Sequence, residues 1–152
     1  MGAPKRLPPE TVSTRLASDG PLTLVPASAS PLRGLTILVI DDHRDTVDMF
    51  QHYLTLSGAK VVGAGSAKAA LGVVEISRID AAVVDLRMPR EDGWWFLHAL
   101  RASQTPSAQA PVFAMSGSLQ DGSDPVGFAG YFLKPVELDA LVSSLAALPR
   151  RT

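Results

Sequence analysis

From Leu35 onward the hydrophobic pattern switches repeatedly between two periods. Short unbroken apolar runs read as strands buried on both faces, and stretches whose apolar residues recur every third or fourth position read as amphipathic helices. The runs are LTILVI from Leu35 to Ile40, a shorter one from Lys60 to Gly63, AAVV from Ala81 to Val84, PVFAM ahead of Ser116, and GYFL ahead of Lys134. The helical stretches lie between them. One from Arg44 to Ser57 carries Val47, Phe50 and Leu54 and stops at Gly58, a favoured helix terminator. A second, SAKAALGVVEI, is capped by Ser66 and presents Ala70, Leu71 and Val74. A third is opened by Asp92 and carries Trp94, Leu97 and Leu100; the last, Leu138 to Leu148, presents Leu138, Leu141, Val142 and Leu145. Alternating strand and helix signals predict an α/β fold, a parallel sheet with helices on both faces.

Two segments fall outside this rhythm. Residues 1–34 are rich in Pro, Ser, Ala and Thr and hold one short apolar patch, Leu22 to Val25, so they are expected to form a tail or linker ahead of a domain at residues 35–149. Between Ser116 and Gly130 the text SGSLQDGSDPVGFAG is dense in Gly, Asp and Pro, which leaves room for little helix.

Composition narrows the function class. At 152 residues, 46% hydrophobic and 19% charged, the chain suits one globular domain with a real core. A net charge of −1 without a Lys/Arg run argues against direct binding of nucleic acid. The absence of cysteine removes disulfides, thiolate metal sites and thiol redox chemistry, and suits a reducing cytoplasm. No apolar run approaches the roughly 20 residues of a membrane span, so a soluble chain is expected.

In an open parallel sheet, ligands gather outside the carboxyl ends of the strands. Those ends carry Asp41 and Asp42 after the first strand, Asp85 after the third, Ser116 after the fourth and Lys134 after the fifth. Each alone has an ordinary explanation: a capping Asp or Ser, a solvated Lys. Three carboxylates, a hydroxyl and an ammonium on one rim form a set that independent accidents would not produce.

The segments ILVIDD, VVDLRMPREDGW, FAMSG and YFLKP, in this order, resemble the receiver domain of two-component signalling, over about residues 35–149. The resemblance implies a flavodoxin-like, doubly wound sheet of five strands in the order 2-1-3-4-5. From Ser116 to Lys134 the chain is about one helical turn short for that fold, so its fourth helix is expected to be shortened or absent. The resemblance also assigns roles. Asp85 is the phosphoacceptor; Asp41, Asp42 and Asp85, with the main-chain carbonyl of Arg87, hold Mg²⁺; Ser116 is the switch hydroxyl, with Gly117 leaving the approach open; Lys134 contacts the phosphoryl group; and Tyr131 is the switch aromatic. It further implies a cis Lys134-Pro135 bond, and a histidine kinase or histidine phosphotransfer protein as donor, with a downstream protein target.

These residue types suit the chemistry. A carboxylate attacking a phosphoryl group approaches another anion, so a hard divalent cation and a compact ammonium are needed to offset the charge. Tyr131 could equally be an ordinary half-buried strand tyrosine. Trp95, next to Trp94, is expected to turn outward, either against the N-terminal tail or as an anchor for a partner. His43-Arg44-Asp45 copies a kinase triplet without its companions, and His43, His52 and His98 show no metal-ligand spacing. Two other classes remain. A degenerate receiver would serve only as a protein-interaction module. A dehalogenase-type aspartyl phosphatase would need a second Asp where Arg87 stands. The Pro/Ser-rich leader also resembles the joint ahead of a receiver in a hybrid kinase, so the chain reads as a single-domain regulator or as part of something larger.

Overall fold

The computed structural model describes residues 30–118 and 126–150. Five strands, β1 (Thr36–Ile40), β2 (Lys60–Ala64), β3 (Ala81–Asp85), β4 (Val112–Ser116) and β5 (Gly130–Leu133), form one sheet in the order β2-β1-β3-β4-β5. Every neighbouring pair is parallel. Four helices accompany them among the described residues: α1 (Arg44–Leu56), α2 (Ala67–Ile76), α3 (Gly93–Ala102) and α4 (Leu138–Ala146). This is the flavodoxin-like, doubly wound sheet that the motifs imply. The connection from β4 to β5 holds no helix among its described residues, and the part of that expectation falling on residues 119–125 lies outside them. So does nearly all of the expected tail.

The sheet is covered on both faces because its strands alternate with a period of two. Ile37 and Val39 of β1, Ala81 and Val83 of β3, and Phe113 and Met115 of β4 pack with Phe50 and Leu54 of α1 and with Leu141 and Leu145 of α4. Leu38, Ile40, Ala82, Val84 and Val112 point the other way, onto Ala67, Ala70 and Val74 of α2 and Phe96, Leu97 and Leu100 of α3. β3 and β4 are thus buried along their whole length, and β1 from Ile37 onward.

Several details differ from the sequence expectation. On α3 the buried row is Gly93, Phe96, Leu97 and Leu100, the i, i+3, i+4, i+7 set, and Trp94 is half-buried beside it. The Trp94 ring meets Phe128 edge-on at 4.9 Å, an aromatic contact with the segment that leads into β5. Leu71, Leu138 and Val142 are half-buried, flanking rows made by Ala67, Ala70 and Val74 on α2 and by Leu141 and Leu145 on α4. Trp95 is 37% exposed, facing outward as expected. Ser66 and Asp92 do cap their helices, accepting from the amides of Ala69 and Trp95.

The core also reaches further toward the N-terminus than the hydrophobic pattern indicates. Chain compactness separates Met1–Pro31 from Leu32–Thr152. Leu32 is fully buried in the α1/α4 layer, and its amide donates to the Ser57 carbonyl at 2.9 Å. We therefore expect Leu32→Ala to cost about 2 to 5 kcal/mol in urea unfolding, against a change within about 0.5 kcal/mol for the exposed neighbour in Arg33→Ala. Equal effects would show that folding starts after residue 34.

Candidate functional site

The register of the sheet builds the site. Ile40 pairs with Val84, so the next residues, Asp41 and Asp85, emerge side by side from adjacent strands. Asp85 also pairs with Met115, and the Leu86 amide donates to the Met115 carbonyl at 2.8 Å. By the alternation along β3, Asp85 continues the row of Ala81 and Val83, on the α1/α4 layer. Ser116 continues the row of Val112, on the opposite layer.

Both carboxylates are buried, Asp41 completely and Asp85 to 4% exposure, where an unpaired charge is costly. Lys134 meets this need. Its amide donates to the Ser116 carbonyl at 2.7 Å, which anchors the end of β5, and its side chain spans β4 to place Nζ 2.8 Å from Asp41 Oδ2 and 3.2 Å from Asp85 Oδ2. The Lys134-Pro135 bond is cis, as the resemblance implies. Asp85 Oδ1 accepts from the Arg87 amide at 3.1 Å, so Arg87 reaches Asp85 through its N–H, whereas the sequence expectation concerned its carbonyl.

The electrostatics follow from burial. Desolvation holds the Asp85 carboxyl above its ordinary value, with Asp41 adding to the effect, and the Arg87 amide and Lys134 only partly offset this. Burial works against the Lys134 charge, but the Asp41 and Asp85 carboxylates overcome it and hold the ammonium above its ordinary value.

Ligand atoms of Asp41, Asp42, His43 and Asp85 all lie within 4.8 Å of one another. The three carboxylates are those expected. His43 is not: sequence spacing showed no metal-type pairing for it. Its amide donates to Asp41 Oδ1 at 2.9 Å, and its Nδ1 lies 3.1 Å from the same oxygen. The signal was present in its adjacency to the Asp pair, since a residue that starts a helix directly after a strand end stays at the rim. His52 and His98 take no part in the cluster.

Ser116 and Tyr131 meet at Ser118. The Ser116 hydroxyl donates to the Ser118 carbonyl at 3.0 Å and accepts from the Ser118 amide at 3.2 Å, and the Tyr131 hydroxyl donates to that same carbonyl at 3.1 Å. Ser118 therefore joins the two residues expected to switch together, and nothing in its side-chain chemistry singled it out. Gly117 has no described atom within 4 Å of where a Cβ would stand, so packing does not demand glycine there. Gly93, beside Asp85, is a position where it does. A Cβ on it would come 2.8 Å from the Asp85 carbonyl oxygen and 3.0 Å from Leu86 Cα, so glycine lets α3 press directly on the strand end that carries Asp85.

Comparison with known proteins decides the family. The response regulator receiver domain model matches residues 37–146. The chain belongs to the response regulator receiver family. It is 35% identical over 121 residues to the transcriptional regulatory protein PrrA of Mycobacterium tuberculosis, covering 76% of this chain and 50% of that protein. It is 29% identical over 166 residues to the virulence sensor protein BvgS of Bordetella bronchiseptica, covering 91% of this chain and 13% of that one. A response regulator receiver protein from Pseudomonas putida superposes with a TM-score of 0.65 at 28% identity, covering 73% of this chain and 94% of that one. The chain spans about half the length of regulators such as PrrA, so it corresponds to their receiver part. Receivers of this family generally bind Mg²⁺ at an acidic pocket, and this receiver has an Asp cluster at the corresponding rim. Among the described residues no helix is long and apolar enough to cross a membrane.

Because the folded Asp85 value is raised, its contribution to stability is full below the ordinary carboxylate range and is lost as pH rises through the raised value. Asp85→Asn keeps the shape and removes the charge. In metal-free buffer the variant is expected to melt higher than the wild type at pH 7, with the gap closing as pH falls below about 4. A variant that melts lower at pH 7, or a gap that widens in acid, would contradict this balance of forces.

Proposed function

We propose that Asp85 is a phosphoacceptor, taking a phosphoryl group from a phosphohistidine on a histidine kinase or phosphotransfer protein, and that this changes the conformation of the rim. The observation that carries the reading is the Lys134 ammonium standing within 3.2 Å of both buried carboxylates. It fixes a positive charge where phosphoryl oxygens would arrive. An Asp85 oxygen attacks phosphorus, the phosphorus–nitrogen bond breaks, and the donor imidazole leaves with its electron pair. The donor set fits a hard cation: Asp41, Asp42 and Asp85 offer carboxylate oxygens, and Arg87 offers a main-chain carbonyl. When bound, Mg²⁺ would neutralise charge on the phosphoryl group in flight.

The incoming group also acts on the switch. A phosphorylated Asp85 presents new acceptor oxygens and about −1.5 to −2 charges in place of one carboxylate. The Ser116 hydroxyl can turn from the Ser118 carbonyl toward those oxygens, across the open approach at Gly117. That releases a donor from the carbonyl that also holds Tyr131, so the aromatic ring gains freedom to move. A downstream protein would read this change, and the reading places the domain at residues 32–149, inside a cytoplasmic signalling chain.

Incubation with acetyl phosphate and Mg²⁺, followed by intact mass measurement, is expected to add the mass of one phosphoryl group to the wild type and none to Asp85→Asn. Deleting residues 1–30 should leave the addition intact, since no rim residue lies there. A wild type that accepts nothing would favour the interaction-module reading, and acceptance by Asp85→Asn would place the acceptor elsewhere.

A further inference from the structure

We propose that the His43 imidazole is a ligand of the cation at this rim and gives the site a preference for borderline divalent ions, Co²⁺ and Zn²⁺, over what its oxygens alone would confer. The inference rests on the reading above that Asp41, Asp42 and Asp85 hold a divalent cation.

Geometry is the first support. His43 Nδ1 lies 3.1 Å from Asp41 Oδ1 and 3.5 Å from Asp42 Oδ1. An octahedral ion with bonds of about 2.1 Å sets adjacent donors about 3.0 Å apart. The separations from His43 Nδ1 to the two carboxylate oxygens are close to that donor spacing, so the imidazole could share one ion with them. Ligand atoms of the four residues fall within 4.8 Å of one another, so small rotations suffice to bring them onto one ion.

His43 is also available for the task. It occupies the N-cap position of α1, yet its side chain makes no capping bond there. The side chain is 70% exposed, so it can turn without repacking anything. Asp41 does not depend on it, being held by the Lys134 ammonium at 2.8 Å and by the His43 main-chain amide at 2.9 Å.

The consequence for selectivity is chemical. Carboxylate, carbonyl and water oxygens suit Mg²⁺, Ca²⁺ and Mn²⁺, whereas imidazole favours ions later in the first row. One nitrogen added to an oxygen set leaves Mg²⁺ binding nearly unchanged and strengthens Co²⁺ and Zn²⁺. If the imidazole only donated its Nδ1 proton to Asp41, it would not discriminate among ions.

The test is calorimetric titration of the full chain with MgCl₂, CoCl₂ and ZnCl₂ separately, for the wild type, His43→Gln and Asp42→Asn. The expected result is a loss of about tenfold or more in Co²⁺ and Zn²⁺ affinity for His43→Gln, the scale on which coordination-shell losses act, with Mg²⁺ affinity within about twofold. The ¹⁵N resonance of the His43 side chain should also shift on adding Zn²⁺ to the wild type. Equal changes for all three ions, or no change and no shift, overturn the His43 ligand while Asp42→Asn still abolishes Mg²⁺ binding. Mg²⁺ binding that survives Asp42→Asn overturns both the ligand and the metal reading beneath it.

Discussion

The Lys134 ammonium, set between the Asp41 and Asp85 carboxylates, is the interaction on which the rim depends. Parallel pairing of β1 with β3 forces the two aspartates into adjacent buried positions, and like charges there would oppose folding. Lys134 compensates from just past the edge strand β5, two places from β3 and three from β1, so the arrangement needs all four strands in register. Removing a partner from such a buried set leaves a charge without compensation, the costly case among salt bridges. Even with Lys134 in place the Asp85 carboxyl stays raised, because burial desolvates it and the Arg87 amide and the ammonium offset only part of that cost. This residual cost is what a bound cation would relieve.

The alternation of strands divides the site into two parts. Asp85 belongs to the row packed on α1 and α4, whereas Ser116 belongs to the row facing α2 and α3. Tyr131 precedes Phe132, which packs in the α1/α4 layer, so Tyr131 takes the same side as Ser116. The charged centre and the hydroxyl pair thus occupy opposite faces of one sheet edge, joined where Ser116 ends β4 and its carbonyl holds the Lys134 amide. A change at Asp85 has a short covalent and hydrogen-bonded route to Tyr131.

Most of this architecture was legible in the chain because it follows from local periodicity. Unbroken apolar runs gave the central strands, and polar residues terminating those runs gave the rim, since a strand end is where a buried row must stop. What escaped detection depends on tertiary placement. Phe96, and not Trp94, faces the sheet because the choice between neighbouring helical positions is made by packing, which a stripe of apolar letters leaves open by one residue. Ser118 acts through its main chain, and main-chain groups carry no sequence signature. The role of Gly93 appears only from the 2.8 Å approach to the Asp85 carbonyl that a Cβ would make. Leu32 lies within the turn at residues 31–34, outside any periodic run, yet is fully buried.

The central claim is that burial, register and the Lys134 charge make Asp85 the nucleophile among three crowded carboxylates. Borohydride reduction of the protein after acetyl phosphate treatment, followed by peptide sequencing, tests this most directly, because it converts an acyl phosphate on aspartate to homoserine at the residue that carried it. The account predicts homoserine at position 85 alone. Homoserine at position 41 or 42, or at none of the three, would contradict it.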